Sequence, residues 1–272
     1  MIRSAITVSL VPEARGGPFV YWDDLSAACA KAAKLGFDAI EVFPRTVDAV
    51  NVKQLTSLLK RHKLKMAAMG TGAGWVVHKL RLTDPAPRVR ARARDFVAGV
   101  IELAGQFNAP AIVGSMQGRY EGETREAAMG WLREALEHLG ARAPALGVPL
   151  LFEPLNRYET NLVRSVAEGL ELLKMLPVRQ VKLLVDLFHA NIEEVVIADS
   201  IRLAGPDLGH VHLADSNRRA AGFGHTDFGP IADALREVSY DGYVSAEVFP
   251  LPDSDTAAQQ TMAGFRQWFR PD

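Results

Sequence analysis

VPLLFEPLNRYETNLVRSVAEGLELLKMLPVRQVKLLVD, residues 148–186, holds the unit from which the architecture can be read. It opens on a short apolar run, VPLLFE (148–153), and closes on another, VKLLVD (181–186). Runs of that length bounded by turn residues read as strands buried on both faces. Between them SVAEGLELLKML (165–176) carries apolar residues at helical spacing. Strand, helix, strand is the parallel unit with a helical crossover. Both strands end on a carboxylate, Glu153 and Asp186. A charge at the end of an apolar run is costly unless something compensates it.

The same unit repeats along the chain. Six more runs read as strands: SAITVSL (4–10), DAIEVF (38–43), KMAAMG (65–70), PAIVGS (110–115), HVHLAD (210–215) and GYVSAEV (242–248). Amphipathic segments alternate with them. WDDLSAACAKAAKLG has aspartate at its start and glycine at its end, an N-cap and C′ pair. DPAPRVRARARDFVAGVIELAG starts on Asp-Pro, where proline fits a first helical turn. TREAAMGWLREALEHLGARAPALG (124–147) and IEEVVIADSIRLAG (192–205) each read as one helix. Eight alternating pairs predict an α/β fold closed as a (β/α)8 TIM barrel, one domain over residues 1–272. No GxGxxG turn follows the first strand, which weighs against an open dinucleotide-binding sheet.

Composition narrows the function. With 31 basic and 32 acidic residues, no global field recruits nucleic acid or an anionic membrane surface. No run approaches a membrane span, and the first residues lack a signal-type apolar stretch, so the expected location is cytoplasmic. The single cysteine, Cys29, excludes an internal disulfide and reads as a small core residue. The run PRVRARARD (87–95) spreads its arginines around a helix, as a solvated or subunit-contacting start would. A homo-oligomer, dimer or tetramer, is left open.

The ends of the last four strands carry the chemistry. Glu153, Asp186 and Glu247 lie at or near the ends of strands five, six and eight, and His212 lies near the end of strand seven. In a barrel of this type those ends meet at one mouth. Two Glu, one Asp and one His form a set suited to one divalent metal ion, Mn²⁺, Co²⁺, Mg²⁺ or Zn²⁺, and too oxygen-rich to pick one; Mn²⁺ is the first expectation. His210, two residues before His212, shares its strand face one layer deeper, as a support for the ligands or a satisfied core histidine.

FEPLNRYET, VDLFHANIEE, HVHLADSNRR and YVSAEVF resemble the corresponding motifs of ketose 3-epimerases of the D-tagatose/D-psicose type, xylose-isomerase-like barrels also called sugar phosphate isomerases/epimerases. The longer runs EPLNRYETN, HANIEE and ADSNRRAAGFGHTDF, with MGTG and RLTDP, are similar to bacterial 5-keto-L-gluconate epimerases. The resemblance implies Glu153, Asp186, His212 and Glu247 as metal ligands. It further implies substrate contacts from Glu159, His189 and Arg218, and a small-molecule sugar or sugar acid as the partner.

Epimerising a carbon beside a ketone needs a carbon-bound proton removed from one face and returned to the other. Two acid/base groups on opposite sides meet that need, and the expected catalytic pair is Glu153 and Glu247, working through an enediolate. His189 and Arg218 would donate to developing charge on oxygen. The proline-rich FPLPDSD after strand eight is a poor phosphate cradle, so an unphosphorylated sugar or sugar acid is expected. Arg157, Arg219 and Arg119 are candidates for a substrate carboxylate. Tyr21, Trp22, Phe43, Trp75 and Met116 are candidates for the distal pocket. Three rivals use related barrels. An endonuclease IV-type repair enzyme needs three zinc ions, too many for seven histidines of which His62 and His138 sit in helical patterns. An aldose–ketose isomerase would move the proton between neighbouring carbons at the same site. A non-catalytic sugar-binding barrel would not need the acid/base pair.

Overall fold

A computed structural model describes residues 1–270. Eight parallel strands succeed one another in chain order: β1 (Arg3–Ser9), β2 (Ala39–Phe43), β3 (Lys65–Gly70), β4 (Ala111–Val113), β5 (Leu150–Phe152), β6 (Val181–Asp186), β7 (Leu208–Leu213) and β8 (Tyr243–Ala246). β8 pairs back onto β1, with Arg3 opposite Tyr243 and Ile6 opposite Ala246. The expected TIM barrel is therefore closed. A two-residue strand, Tyr21–Trp22, pairs with the end of β1 inside the first loop, an element too short for any sequence period to reveal.

Eight principal helices cover the barrel: α1 (Leu25–Leu35), α2 (Val52–His62), α3 (Pro87–Gly105), α4 (Arg125–Gly140), α5 (Val166–Lys174), α6 (Ile197–Ala204), α7 (Phe228–Glu237) and α8 (Ser254–Phe269). The Asp24 side chain accepts from the Ala27 N–H at the start of α1, and Gly36 closes that helix in the left-handed region at φ 88°. Two helices are shorter than the periodicity predicts. α4 ends at Gly140, where a Cβ would crowd Val181 and Val178, and a separate turn follows at Ala143–Leu146. The stretch expected as one helix over 192–205 is two. A short helix, Leu187–Glu193, starts straight after β6 because Asp186 caps it by accepting from the Phe188 N–H at 2.7 Å. α6 begins afresh at Ile197.

Strand parity sorts the core. Ile40 and Val42, Leu150 and Phe152, Leu183 and Val185, and Val211 and Leu213 all belong to the large cluster that seals the sheet against the helices. The alternate residues form separate small clusters, Ala5 with Ala39 and Ala67, and Ala68 with Ile112, Leu151 and Leu184. Successive side chains on a strand face opposite ways, so the second set lines the barrel interior; the adjacent Ala67 and Ala68 both join it where the register between β2 and β3 shifts. Continuing that parity to the mouth brings Leu151 to Glu153, Leu184 to Asp186, His210 to His212 and Ser245 to Glu247. The fold aims all four charged ends inward.

Candidate active site

Glu153, Asp186, His212 and Glu247 are all buried, and each offers a ligand-type atom within 4.8 Å of the others. From His212 Nδ1 the distances are 3.5 Å to Glu153 Oε1, 3.8 Å to Asp186 Oδ2 and 3.7 Å to Glu247 Oε2. These are too long for hydrogen bonds. Glu153 Oε1, Asp186 Oδ2 and His212 Nδ1 have no hydrogen-bond partner among the described residues, although each is buried. Buried polar atoms are paired in almost all native structures. Three unpaired atoms aimed at one point, two of them on acids, fit a cation between them. The separations are roughly twice a metal–ligand bond of about 2.0–2.2 Å to nitrogen or oxygen.

The local electrostatics agree with that fit. Burial, with the neighbouring Glu153 and Asp186 charges, pushes the Glu247 carboxyl up to about 8, while His212 and Arg218 pull the other way. Burial also opposes the charge on Asp186, but His189, His212 and Arg218 hold its carboxyl below the usual range. Burial works against a charged His212, yet Glu41 and Glu247 raise it well above an ordinary histidine. Acids crowded together in a dry site lack positive charge, which a divalent ion would supply.

The residues expected to touch substrate converge on the same mouth. Arg218 Nη2 donates to Glu247 Oε2 at 2.8 Å and its Nη1 to Glu159 Oε1 at 3.2 Å. The guanidinium lies 4.8 Å over the Phe188 ring. Its backbone is left-handed at φ 58°, fixed by its N–H on the Asp215 carbonyl and by the Phe249 N–H on its own carbonyl. His189, on the short helix after β6, lies 3.9 Å from Glu153 and 3.7 Å from Asp186 through Nε2. Its Nδ1 sits 2.7 Å from Asn156 Nδ2. Asn156 Oδ1 is already engaged by the Tyr158 N–H, and Nδ2 also donates to Glu159 Oε1. The amide nitrogen therefore faces His189, so Nδ1 accepts and the ring proton is on Nε2, directed at the acids.

Three contributors carry no clear mark in the sequence. Asn156 sits within EPLNRYE, yet nothing in its spacing reveals that it sets the His189 tautomer. Gln117 donates from Nε2 to the Glu153 carbonyl at 3.0 Å and so anchors the segment that carries the acid. Glu41 lies in mid-strand on β2, fully buried, against His210 and His212. An inward acid in DAIEVF is the one signal available for it.

A cavity of about 620 Å³ opens above the cluster and includes Glu153, Glu159, His189, Arg218 and Glu247 in its wall. Of the expected distal residues, Phe43 and Trp75 line it. Tyr21 and Met116 are instead buried in the main core, Tyr21 on the extra strand beside β1. Trp22 packs edge-on against Phe19, which takes the place at the wall. Arg119 reaches the cavity. Arg157 does not, because Glu193 holds it at 2.8 Å, and Arg219 stacks on Phe223. In the arginine-rich start of α3, Arg90 stacks 4.2 Å over Trp131 and Arg94 pairs with Glu134, which supplies the acidic neighbour such a helix start needs.

The chain is similar to several proteins of known activity. A D-psicose 3-epimerase from Agrobacterium fabrum is 32% identical over 241 residues, 85% of this chain and 83% of that protein. An L-ribulose 3-epimerase from a Methylomonas species is 30% identical over 272 residues, 94% of this chain and 92% of its own length. A crystal structure of D-psicose 3-epimerase with D-tagatose from Clostridium cellulolyticum superposes with a TM-score of 0.84 at 23% identity, covering 99% of this chain and 100% of that one. The family description xylose isomerase-like TIM barrel matches residues 29–269. The chain belongs to the xylose isomerase-like TIM barrel family, with ketose 3-epimerases among its relatives.

Proposed function

We propose that this chain, working as one barrel domain over residues 1–272, is a metal-dependent epimerase of a ketose or keto-sugar acid at the carbon beside the carbonyl. The observation that carries the reading is the convergence of Glu153 Oε1, Asp186 Oδ2 and His212 Nδ1, buried and unpaired, beneath a sugar-sized opening. Glu153, Asp186, His212 and Glu247 would hold one divalent ion. Mn²⁺ is the first choice, with Co²⁺, Mg²⁺ and Zn²⁺ as alternatives that the same ligand set would accept. When bound, the ion supplies Lewis-acid polarisation of the substrate carbonyl.

The chain's own residues do the rest. Glu153 and Glu247 stand at the ends of strands three apart in an eight-membered ring, so a substrate across the mouth has a carboxylate on either side. One takes the proton from carbon and the other returns one to the opposite face. His189 presents its Nε2–H to oxygen, because Asn156 fixes the other ring nitrogen as an acceptor. Arg218, held between Glu159 and Glu247, stabilises charge developing on oxygen and keeps Glu159 over the cavity. Glu159, in the cavity wall, then offers an acceptor to sugar hydroxyls.

An unphosphorylated substrate is supported by the loop after β7. Its backbone N–H groups at Ser216, Gly222 and Thr226 point inward, as a phosphate cradle would, but the Asp215 carboxylate already accepts all three at 2.7–3.0 Å. A phosphate would meet that carboxylate. No helix among the described residues is long and apolar enough to cross a membrane; a cytoplasmic enzyme that assembles as a dimer or tetramer is the accompanying proposal. The direct test is a panel of ketoses and keto-sugar acids with Mn²⁺ in deuterated water. Deuterium at the carbon beside an unmoved carbonyl is the expected outcome. A displaced carbonyl would assign an aldose–ketose isomerase instead, and no exchange across the panel would leave a binding barrel.

A further inference from the structure

Below the four-residue cluster the barrel interior holds one more acid. Glu41 lies at the centre of β2 and is completely buried. Its Oε1 is 2.9 Å from His212 Nε2 and its Oε2 is 2.7 Å from His210 Nε2. β2 and β7 are three strands apart around the ring, through β1 and β8, so the carboxylate reaches its partners across the interior. His210 and His212 share one face of β7, with their rings edge-on at 5.4 Å, and both meet the same carboxylate.

An ionised carboxylate only accepts hydrogen bonds. Each histidine must therefore donate from Nε2. With a cation in the cluster, His212 must then carry its lone pair on Nδ1, and Nδ1 is the buried, unpartnered atom that faces Glu153, Asp186 and Glu247. We infer that Glu41 is a positioning residue: it fixes His212 in the Nε2–H tautomer, so that Nδ1 is presented to the cation, and uses His210 as a second donor that holds the carboxylate in place. Rotation of the His212 ring would break the bond to Glu41, so the same contact sets orientation as well as tautomer. Glu41 touches neither the cavity nor the acid pair. It acts only through His212.

The inference rests on the reading of the cluster as a cation site, and the test separates the two. Mn²⁺ affinity is measured by competition with a fluorescent chelator for the whole chain and for Glu41→Gln. The amide can accept from one histidine only and must offer N–H to the other, so affinity is expected to fall about 10–100-fold. A glutamine with unchanged affinity overturns the positioning role. A wild-type chain that binds no Mn²⁺ removes the cation reading and this inference with it, whereas two ions bound per chain would recast Glu41, His210 and His212 as ligands and overturn the inference alone. Should the variant fail to fold, nitrogen-15 histidine spectra of the Zn²⁺-loaded wild-type decide: Nε2–H signals for both His210 and His212, slow to exchange with solvent, are expected, and a proton on His212 Nδ1 refutes the assignment.

Discussion

The two halves of the barrel end differently. In the half built from β1 to β4, the inward positions at the mouth are Val11, Phe43, Gly70 and Gly114, all of which line the cavity. In the half built from β5 to β8, the same parity delivers Glu153, Asp186, His212 and Glu247. One half gives room and the other gives charge. The room is not incidental. A Cβ on Gly70 would run into the Phe43 ring, and a Cβ on Gly114 would collide with Glu153 Oε2. The uncharged half thus sets how close the charged half can come. Around one ring, β1 to β4 line the open space and β5 to β8 supply the clustered acids and histidine, with Gly114 and Glu41 as the points where the first arc touches the second.

The strongest way to break that division is to neutralise the charged arc. Glu153→Gln or Glu247→Gln should lower turnover by about 10²–10⁴-fold, the usual worth of a positioned acid/base group, while circular dichroism stays native. Purified variants at near-wild-type rates would end the two-carboxylate mechanism. A smaller effect should follow from the uncharged arc. Gly114→Ala forces Glu153 to move, at a cost of about 1–3 kcal/mol in stability from overpacking. Misplacement of a reacting group by about 1 Å costs on the order of 10²-fold, so turnover should fall by up to that factor with Mn²⁺ still bound. An alanine variant with full activity would show that the two arcs are independent.

The mildest effect is expected in the loop that carries Arg218. Burial opposes the charge on Asp215, but backbone N–H groups of Thr226, Ser216, Gly224 and Gly222 hold its carboxyl below the usual range. Asp215→Asn should cost about 1 kcal/mol, the net value of a hydrogen bond, and weaken substrate binding modestly through Arg218. Because the folded-state pKa is depressed, the gap between wild-type and variant stability is complete above the unfolded aspartate value of about 3.9, and closes as pH falls through the folded value. Chemical denaturation at neutral and strongly acidic pH checks it; a gap that widens on acidification would contradict this account.

Much of the fold and site is legible in the order of residues alone, for physical reasons. Alternating strand and helix periods imply the barrel, because each period reflects a local face that must be buried. The four charged ends stand out because apolar runs seldom stop on a charge, and strand parity then forces them inward. Glu159, His189 and Arg218 become visible only through resemblance, since nothing local in a loop says which way a side chain turns. Asn156 and Gln117 stay hidden because their work is done by hydrogen bonds to partners 33 and 36 residues away. Tyr21 and Met116, expected at the pocket wall, belong to the core. An aromatic or thioether suits a core as well as a cavity, and only tertiary packing distinguishes the two. Phe19 takes the place expected of Trp22 because the extra strand at Tyr21–Trp22 fixes which side of that loop turns inward.

The self-filled loop after β7 has a consequence for how such barrels diverge. Its amides are already arrayed around a negative group, and that group is tethered to the chain. A descendant acting on phosphate esters would need no new loop architecture there. Loss of a single carboxylate would vacate an anion receptor that the backbone has already built.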